Sequence, residues 1–495
     1  MPKPVRFRAP LQGTIAVLAV VALQGCMSLA PDYERPQAPV PEAYPAAQAD
    51  KKGVQAHELP WQSYFTDPVL KRLISTAIEH NRDLRIAVLR VEEARAAHGI
   101  QRSDLFPHFS ADGQGGRART SAGLSPTGQA RTGSEYRAEV GLTTWELDLW
   151  GRVSNLNDAA LERWLATEAA QQAVQLALVT EVANVYLSVR ELDERVKIAR
   201  QTLATRQQSY RMFQDRFEVG STSQLDLTQV RTLLLQARSL LAQLERQRAL
   251  QINALRLLLG GDPGDLGPVE PFDRTTMLVE IDPGLPSELL VYRPDIIAAE
   301  HRLRAANADI GAARAAFLPR IALTGAFGTA SAQLDDLFGS GSHTWSFMPT
   351  ISLPIFDGGR REANLELSEV RRDLAVADYE RTIQNAFREV SDALDSHRWL
   401  QDQLKVLLQS RAAQSERSRL AQLRYDQGSV AYLEVLDAQR DLLDVQQQVV
   451  QTRRALLASQ VDLYRALGGA TRTNQDNAAQ DSAEPEQSTE LTVKP

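Results

Sequence analysis

The segment RFEVGSTSQLDL at residues 216–227 returns as RYDQGSVAYLEV at residues 424–435, a spacing of 424 − 216 = 208 positions. The same spacing recurs on either side, in Gly151-Arg152 and Gly359-Arg360 and in Gly260-Gly261 and Gly468-Gly469. At a slightly larger spacing, Leu105-Phe106-Pro107 matches Phe317-Leu318-Pro319. Two halves of about 210 residues share one plan, which indicates a duplicated unit and not a many-copy solenoid.

The sequence predicts a very long helix leading into each of these two repeated segments. Apolar residues recur at alternating steps of four and three, the pattern of a coiled-coil seam, at Leu178, Val182, Val185, Val189, Leu192, Val196, Ala199 and Leu203. The same register 208 positions later gives Ala386, Val390, Ala393, His397, Leu400, Leu404, Leu407 and Arg411. No proline lies between Arg152 and Gly220, so a helix of about 100 Å is expected there.

A shorter return helix follows each long one. In the first half it is predicted from about Ser223 to Leu259, where the pair Gly260-Gly261 is typical of a helix C-terminus. The segments 220–223 and 428–431 are the predicted tight turns at the helix tips.

Each half also predicts one β-hairpin, at about residues 106–150 and 318–357. Apolar and small polar residues alternate there with a period of two, separated by polar, Gly-rich turns. In the first hairpin the alternation slips near Thr143, which predicts a β-bulge or a strand end. A helical stretch precedes each hairpin, at about 67–104 and 286–316, and Phe/Leu-Pro ends it.

The predicted organisation follows from these elements. Residues 1–25 are a signal peptide, 26–66 an extended lipid-anchored segment, 67–285 and 286–469 the two structural repeats, and 470–495 a polar, acid-rich tail that is expected to be disordered.

The beginning of the chain indicates export. Lys3, Arg6 and Arg8 precede an apolar run from Ile15 to Leu23, and the run ends at Leu23-Gln24-Gly25-Cys26. This ending resembles a bacterial lipobox, in which the cysteine becomes the lipidated first residue. Cys26 is the only cysteine, so it forms no internal disulfide. An ordinary cleaved signal peptide with a chance cysteine is the alternative.

Composition narrows the function. The net charge of −7 and the lack of a basic stripe argue against nucleic acid as a partner. The seven histidines are scattered, and no metal-protease, phosphate-loop or nucleophile-elbow motif occurs, so an enzyme is not expected and neither is a metal or cofactor. The only cofactor-like group predicted is the covalent lipid on Cys26.

Two hairpins give four strands, too few to close a membrane barrel. Three copies supply 3 × 4 = 12 strands, and the same symmetry makes a ring of paired long helices. The predicted fold class is therefore an α+β membrane protein, a trimeric 12-stranded outer-membrane β-barrel continuous with a long periplasmic α-helical barrel.

The chain resembles the TolC-like outer membrane factors, in the OprM/NodT lipoprotein branch. The resemblance covers about residues 15 to 470 and rests on the lipobox and the motifs Ala30-Pro31-Asp32-Tyr33-Glu34-Arg35-Pro36, Phe65-Thr66-Asp67-Pro68, Leu353-Pro354-Ile355-Phe356-Asp357-Gly358-Gly359-Arg360 and Leu463-Tyr464-Arg465-Ala466-Leu467-Gly468-Gly469. It implies a homotrimeric duct in the outer membrane, lipid-anchored, that joins a periplasmic adaptor and an inner-membrane pump of the resistance-nodulation-division type.

The resemblance also implies a gate at the helix tips. Leu433 and Asp437 occupy the constriction positions of the lipoprotein branch, and Glu434 falls where the pattern has a second acidic residue. Tyr425 and Asp226 resemble gate-bonding partners. Val430 stands where the pattern has an arginine that would pair with Asp226, so this sequence departs from the pattern at that pair. The tip turns, Gly220-Ser221 and Gly428-Ser429, are the expected adaptor or pump contacts.

Two alternative interpretations remain open at this point. Each acidic tip residue could be an ordinary solvated charge or a helix N-cap. The whole chain could be a periplasmic coiled-coil adaptor or scaffold lipoprotein without a pore. The sequence does not encode the transported substrate.

Overall fold

The computed structural model describes residues 28–44, 54–268, 278–279, 281–282 and 288–469. The predicted signal peptide, Cys26 and the tail after Gly469 lie outside these residues. Along the chain the elements are β1 (Val54–Gln55), a 3-10 turn (Ala56–Glu58), α1 (Trp61–Tyr64), α2 (Pro68–His80), α3 (Arg82–Ser103), β2 (Phe109–Thr120), a 3-10 turn (Ala122–Leu124), β3 (Arg131–Leu147), α4 (Arg152–Glu218), α5 (Gln224–Leu259), β4 (Ile281–Asp282), α6 (Leu289–Tyr292), α7 (Pro294–Ala315), β5 (Arg320–Ser331), β6 (His343–Ser352), α8 (Arg360–Asp426) and α9 (Tyr432–Ala466).

The chain divides into two compact units. The described part of the first consists of residues 28–36, 91–167 and 299–379, and that of the second of residues 37–44, 54–90, 168–268, 278–279, 281–282, 288–298 and 380–469. Both repeats contribute to both units. None of the helices described by the structure is long and apolar enough to cross a membrane.

The first unit contains a four-stranded antiparallel sheet in the order β2-β3-β5-β6. The two predicted hairpins are therefore neighbours, joined through β3 and β5. The register of β3 against β5 shifts between Leu142 and Trp145. This shift is the bulge that the slipped alternation predicted near Thr143, because one extra residue restores the apolar face after the slip.

One face of the sheet is apolar and exposed. Phe327 lies opposite both Val140 and Trp345, and Ile321 lies opposite Ile351. All five side chains belong to the predicted apolar phase, and Trp345 is 78% exposed in a single copy. This apolar face is therefore accessible for contact with other molecules.

The N-terminal segment is fixed to α7 by polar contacts within the first unit. Arg35 donates hydrogen bonds to the carboxylate of Glu300 at 2.8–3.1 Å, Tyr33 donates to it at 3.1 Å, and Arg304 adds a bond at 2.7 Å. Further along α7, Gly311 leaves room for the chain, because a Cβ there would lie 2.7 Å from the backbone nitrogen of Ala30.

The second unit is built around a buried aromatic core. The rings of Tyr64 and Tyr464 stack at 4.2 Å, and each hydroxyl donates to a backbone carbonyl at 2.8 Å. The buried guanidinium of Arg293 donates to Asp295, Glu389 and the carbonyl of Ala466. These contacts hold the end of α9 against the beginning of α7 and the middle of α8.

The helical stretch predicted at 67–104 is interrupted. It breaks at Asn81, whose backbone is extended between α2 and α3. The Asn81 side chain donates to the carbonyl of Leu258 at 2.9 Å and accepts from the amide of Leu84 at 2.9 Å. A tertiary contact with α5 thus stabilises the break while the same side chain caps α3.

The two coiled-coil seams differ in burial. In α4 every predicted seam residue except Leu203 is buried. In α8 only Ala386, Val390 and Ala393 are buried, and the seam from His397 towards the tip is half-buried. Within one copy, the tip-side half of α8 therefore lacks a full set of packing neighbours.

Candidate functional site

The two helix tips carry the same turn. At the end of α4, Gly220 has φ 72°, and the amide of Ser221 donates to the carbonyl of Arg216 at 2.8 Å. At the end of α8, Gly428 has φ 73°, and the amide of Ser429 donates to Arg424 at 2.9 Å. This is a Schellman ending, which needs a left-handed residue and therefore favours glycine. The duplicated sequence folds into duplicated geometry, with Ser221 and Ser429 exposed.

Asp226 caps its own helix. Its carboxylate accepts from the hydroxyl of Ser223 at 2.7 Å and from the Ser223 amide at 3.3 Å, while the Ser223 hydroxyl accepts from the Asp226 amide. The hydrogen bonds from the side chain and the backbone of Ser223 lower the pKa of Asp226. In this structure the Asp226 carboxylate is bonded within its own helix end, in a capping box, and not to Tyr425.

The second tip is capped differently. Ala431 stands where the first tip has Ser223, and α9 begins without a side-chain cap. Glu434, the counterpart of Asp226, forms an ion pair with Arg424 at 3.1 Å. The end of α8 is thereby tied to the beginning of α9 across the turn.

Tyr425 is bonded to the other tip hairpin. Arg216, at the end of α4, donates a hydrogen bond to the Tyr425 hydroxyl. The guanidinium also lies 5.8 Å from the ring centres of Tyr425 and Phe213, within cation–π range. Arg216 was not among the predicted site residues. The sequence did contain a signal for it, because both repeats place an arginine four residues before the turn glycine, Arg216 in the first and Arg424 in the second.

An apolar cluster supports this bridge. Phe213, Val230 and Leu436 are buried together, and Tyr432 packs against them. The Tyr432 ring meets Tyr425 edge-on at 4.8 Å, and its hydroxyl pairs with Ser209 at 2.5 Å.

Arg206 lies beneath the cluster and joins α4 to α9. It is only 3% exposed and donates to the Gln439 side chain at 3.0 Å and to the Leu436 carbonyl at 3.3 Å. Burial lowers the pKa of this guanidinium.

A cleft of about 200 Å³ opens between the two tips. Its lining brings together three of the predicted residues, Asp226, Tyr425 and Leu433, and adds Arg216. Glu434 and Asp437 do not line it. The predicted site is thus split between a cleft and a neighbouring face of α9.

That face of α9 is an exposed stripe. Leu433 is 47% exposed, and Asp437 follows one turn later. Asp437 pairs with Arg440 at 3.2 Å, and Arg440 also reaches Asp441. The hydrogen bond from Arg417 lowers the pKa of Asp441. Along this stripe an apolar residue, Leu433, is followed by a group of charged residues, Asp437, Arg440 and Asp441.

The residues described by the structure contain no group of three or more His, Cys, Asp or Glu side chains that could hold a metal ion. The tips can form ion pairs, hydrogen bonds and helix packing contacts.

Comparison with known proteins identifies relatives over nearly the whole chain. The sequence profile of the family described as "Outer membrane efflux protein" matches residues 73–261 and again 285–469. Outer membrane protein OprJ of Pseudomonas aeruginosa is 45% identical over 463 residues, which cover 93% of this chain and 96% of that protein. Toluene efflux pump outer membrane protein TtgI of Pseudomonas putida is 44% identical over 472 residues, covering 94% and 99%.

Solved structures share the fold. A membrane protein from Pseudomonas aeruginosa matches with a TM-score of 0.84 at 44% identity, covering 89% of this chain and 97% of that one. The open state of the MtrE outer membrane channel of Neisseria gonorrhoeae matches with a TM-score of 0.83 at 35% identity, covering 90% and 99%. The fold class predicted from the sequence is confirmed.

Proposed function

Because the chain belongs to the outer membrane efflux protein family, we propose that its paired helix tips form the periplasmic gate of an efflux duct. The chain is the outer-membrane channel component of an efflux system, as the sequence predicted. Its relatives are channel proteins, which disfavours the alternative of an adaptor or scaffold without a pore. As a component of such a system, it works with an adaptor and an inner-membrane pump.

The finer assignments extend this role. The duct is a homotrimer and its pump is of the resistance-nodulation-division type. Relatives are named for efflux of toluene, solvents and antibiotics, which favours small lipophilic compounds as cargo here. The exposed turn residues Ser221 and Ser429 are the contacts offered to the adaptor.

One observation carries the gate proposal: the bond from Arg216 to Tyr425 joins the two tip hairpins beside a cleft that Leu433 lines. The closed state needs a contact between hairpins that can break without unfolding either helix. A hydrogen bond between exposed tips meets that need, since water replaces it when the tips separate. Arg216 thus joins the two hairpins although Val430 stands where the TolC-like pattern has an arginine.

Threefold symmetry turns the α9 stripe into stacked rings. Leu433 would form an apolar ring at the narrowest point and Asp437 an acidic ring one turn further along. Arg440 lies close enough to Asp437 to offset the mutual repulsion of three carboxylates. Closure is therefore compatible with charge at the constriction.

Single-channel conductance in planar bilayers tests the gate. Leu433→Ala and Asp437→Ala are expected to raise the conductance of the resting duct because each removes bulk or charge from the constriction. Leu225→Ala is the matched control, since Leu225 is the exposed counterpart of Leu433 in the first repeat. Unchanged conductance in both gate variants, or an equal rise in the control, contradicts a constriction at this stripe.

We also propose that lipid on Cys26 anchors the mature chain. The lipobox supports this assignment, and Cys26 lies outside the described residues. Metabolic labelling with palmitate is expected to mark the wild-type protein and to miss Cys26→Ser. Labelling that survives in Cys26→Ser refutes the anchor.

A further inference from the structure

The sheet ends in two unpaired edges. Among the described residues, β2 and β6 each pair with one strand only, β2 with β3 and β6 with β5. Open edges expose rows of backbone donors and acceptors, and hydrocarbon offers these no hydrogen bonds. In an outer-membrane protein another chain must cover them. The partner strand has to be antiparallel to each edge, as β2 is to β6.

The duplication supplies a template for that pairing. Residue 107 corresponds to residue 319, so β2 maps onto β5 at a spacing of 319 − 107 = 212. Phe109 opposite Leu142 then corresponds to Ile321 opposite Ile351, and the two hairpins superpose residue by residue. Leu142 therefore maps onto Ile351 at a spacing of 209, and Gly151 maps onto Gly359 at 208. The one-residue difference is the bulge, which only β3 contains.

Within the chain, β3 of the first repeat pairs with β5 of the second. Trp145 lies opposite Leu323, Leu147 opposite Ile321, and, before the bulge, Leu142 opposite Gly325. Between chains, the end of the second repeat has to meet the beginning of the next copy's first repeat in the same way. The register of that seam follows when each residue of β3 is exchanged for its equivalent in β6 and each residue of β5 for its equivalent in β2.

We propose that β6 pairs with β2 of the neighbouring copy so that Ile351, Leu353 and Ile355 lie opposite Gly113, Ala111 and Phe109 of that copy. The inference rests on the homotrimer proposed above and adds which residues of each copy meet.

Two features of the chain agree with this register. The pairs derived from either side of the bulge fall into one unbroken ladder, as they must if the extra residue belongs to β3 alone. All six positions also belong to the apolar face, so no strand presents its polar face to the wrong side.

The single copy leaves the required residues free. Ile355 is 91% exposed and Leu353 is half-exposed, and both lie just beyond the last ladder residue, Ser352. Their counterparts Leu147 and Trp145 are inside β3, where β5 pairs with them. The seam would therefore extend β6 by the three residues Leu353 to Ile355.

The chemistry of the seam differs from that of its template. Inside the chain, Glu146 pairs with Arg320 at 2.6 Å, and the Trp150 indole donates to the Pro319 carbonyl at 2.8 Å. The corresponding residues at the seam are Pro354 and His108, and Gly358 and Pro107, which can form neither contact. Copies would therefore associate through backbone bonds and apolar side chains, without an ion pair.

Crossed cysteine pairs test the register. Ile351→Cys and Ile355→Cys are each combined with Phe109→Cys and Gly113→Cys, giving two matched and two mismatched double variants. Directly opposite Cα atoms lie about 4.5 or 5.5 Å apart, within disulfide reach. Mismatched partners are displaced by four residues, about 14 Å. A Cβ at Gly113 meets nothing within 4 Å, so this substitution fits the strand.

After mild oxidation, the pairs 355/109 and 351/113 are expected to give covalent dimers and trimers on non-reducing gels. The pairs 355/113 and 351/109 are expected to stay at the background of the single variants. Each cysteine occurs in one matched and one mismatched pair, so a folding defect would affect both. Leu353→Cys with Ala111→Cys gives a further matched pair.

The proposal is overturned if the variants form heat-sensitive trimers but the matched cysteine pairs cross-link no more than the mismatched pairs. Conductance of the reduced variants reports the duct itself, so failure of the register is distinguishable from failure of the proposed function.

Discussion

Replacing Tyr425 with Phe removes one hydroxyl from the tip and little else. The hydroxyl accepts a hydrogen bond from Arg216, while the ring contacts Tyr432 at 4.8 Å and lies beneath the same guanidinium. Phenylalanine keeps both ring contacts. The variant therefore isolates the single bond between the two tip hairpins.

The expected magnitude follows from the exposure of the pair. A hydrogen bond to a charged donor in a partly exposed setting contributes about 1 kcal/mol. Losing it shifts the balance between closed and open tips by about 5-fold in one copy. If the three tips open together, the three losses combine to about 3 kcal/mol, roughly 150-fold.

Open probability in planar bilayers measures the shift. Tyr425→Phe is expected to raise it between these limits, and the size of the rise tells independent opening from concerted opening. Tyr210→Phe is the matched control, because Tyr210 packs in the same cluster and its hydroxyl has no hydrogen-bond partner among the described residues. Arg216→Ala should match or exceed the effect. If Tyr425→Phe gates like wild type while Arg216→Ala does not, the reasoning from this bond is refuted.

Three further substitutions probe other parts of the molecule. Gly328→Ala should lower the thermal stability of the trimer by about 1–3 kcal/mol, because a Cβ there would lie 2.2 Å from the Ala138 carbonyl oxygen; Gly133→Ala, with open space around it, should change nothing. Arg206→Ala should cost about 2 kcal/mol in the free energy of unfolding by removing two bonds between α4 and α9, which differential scanning calorimetry would detect, and an unaltered midpoint would count against them. Burial alone would raise the pKa of Glu300, but its arginine partners lower it overall. The attachment of the N-terminal segment is therefore fully present above about pH 4.5 and weakens as the pH falls through the lowered value; Glu300→Gln should expose the segment to limited proteolysis already at neutral pH, and equal protection would refute this role.

Much of the architecture could be predicted because its determinants are local. A four-three apolar spacing specifies a long helix, a left-handed glycine ends it, and a period of two specifies a strand, each within a few residues of sequence. The slip near Thr143 was sufficient to predict the bulge between Leu142 and Trp145. The duplication could be detected by comparing the chain with itself, and it also carries the inferred register between copies.

The pairing of side chains at the gate depended on tertiary structure. Asp226 could have bonded Tyr425 or its own helix, and both choices are compatible with the sequence. Asp226 takes a local partner, since Ser223 lies only three residues before it, whereas Arg216 reaches Tyr425 across 209 residues only in the folded chain. Likewise, the break at Asn81 depends on the Leu258 carbonyl, which only packing brings near. Sequence alone determined the elements and their order, because backbone propensity acts locally. Tertiary structure decided which polar groups meet, because several partners of similar chemistry compete and only proximity in the folded chain selects among them.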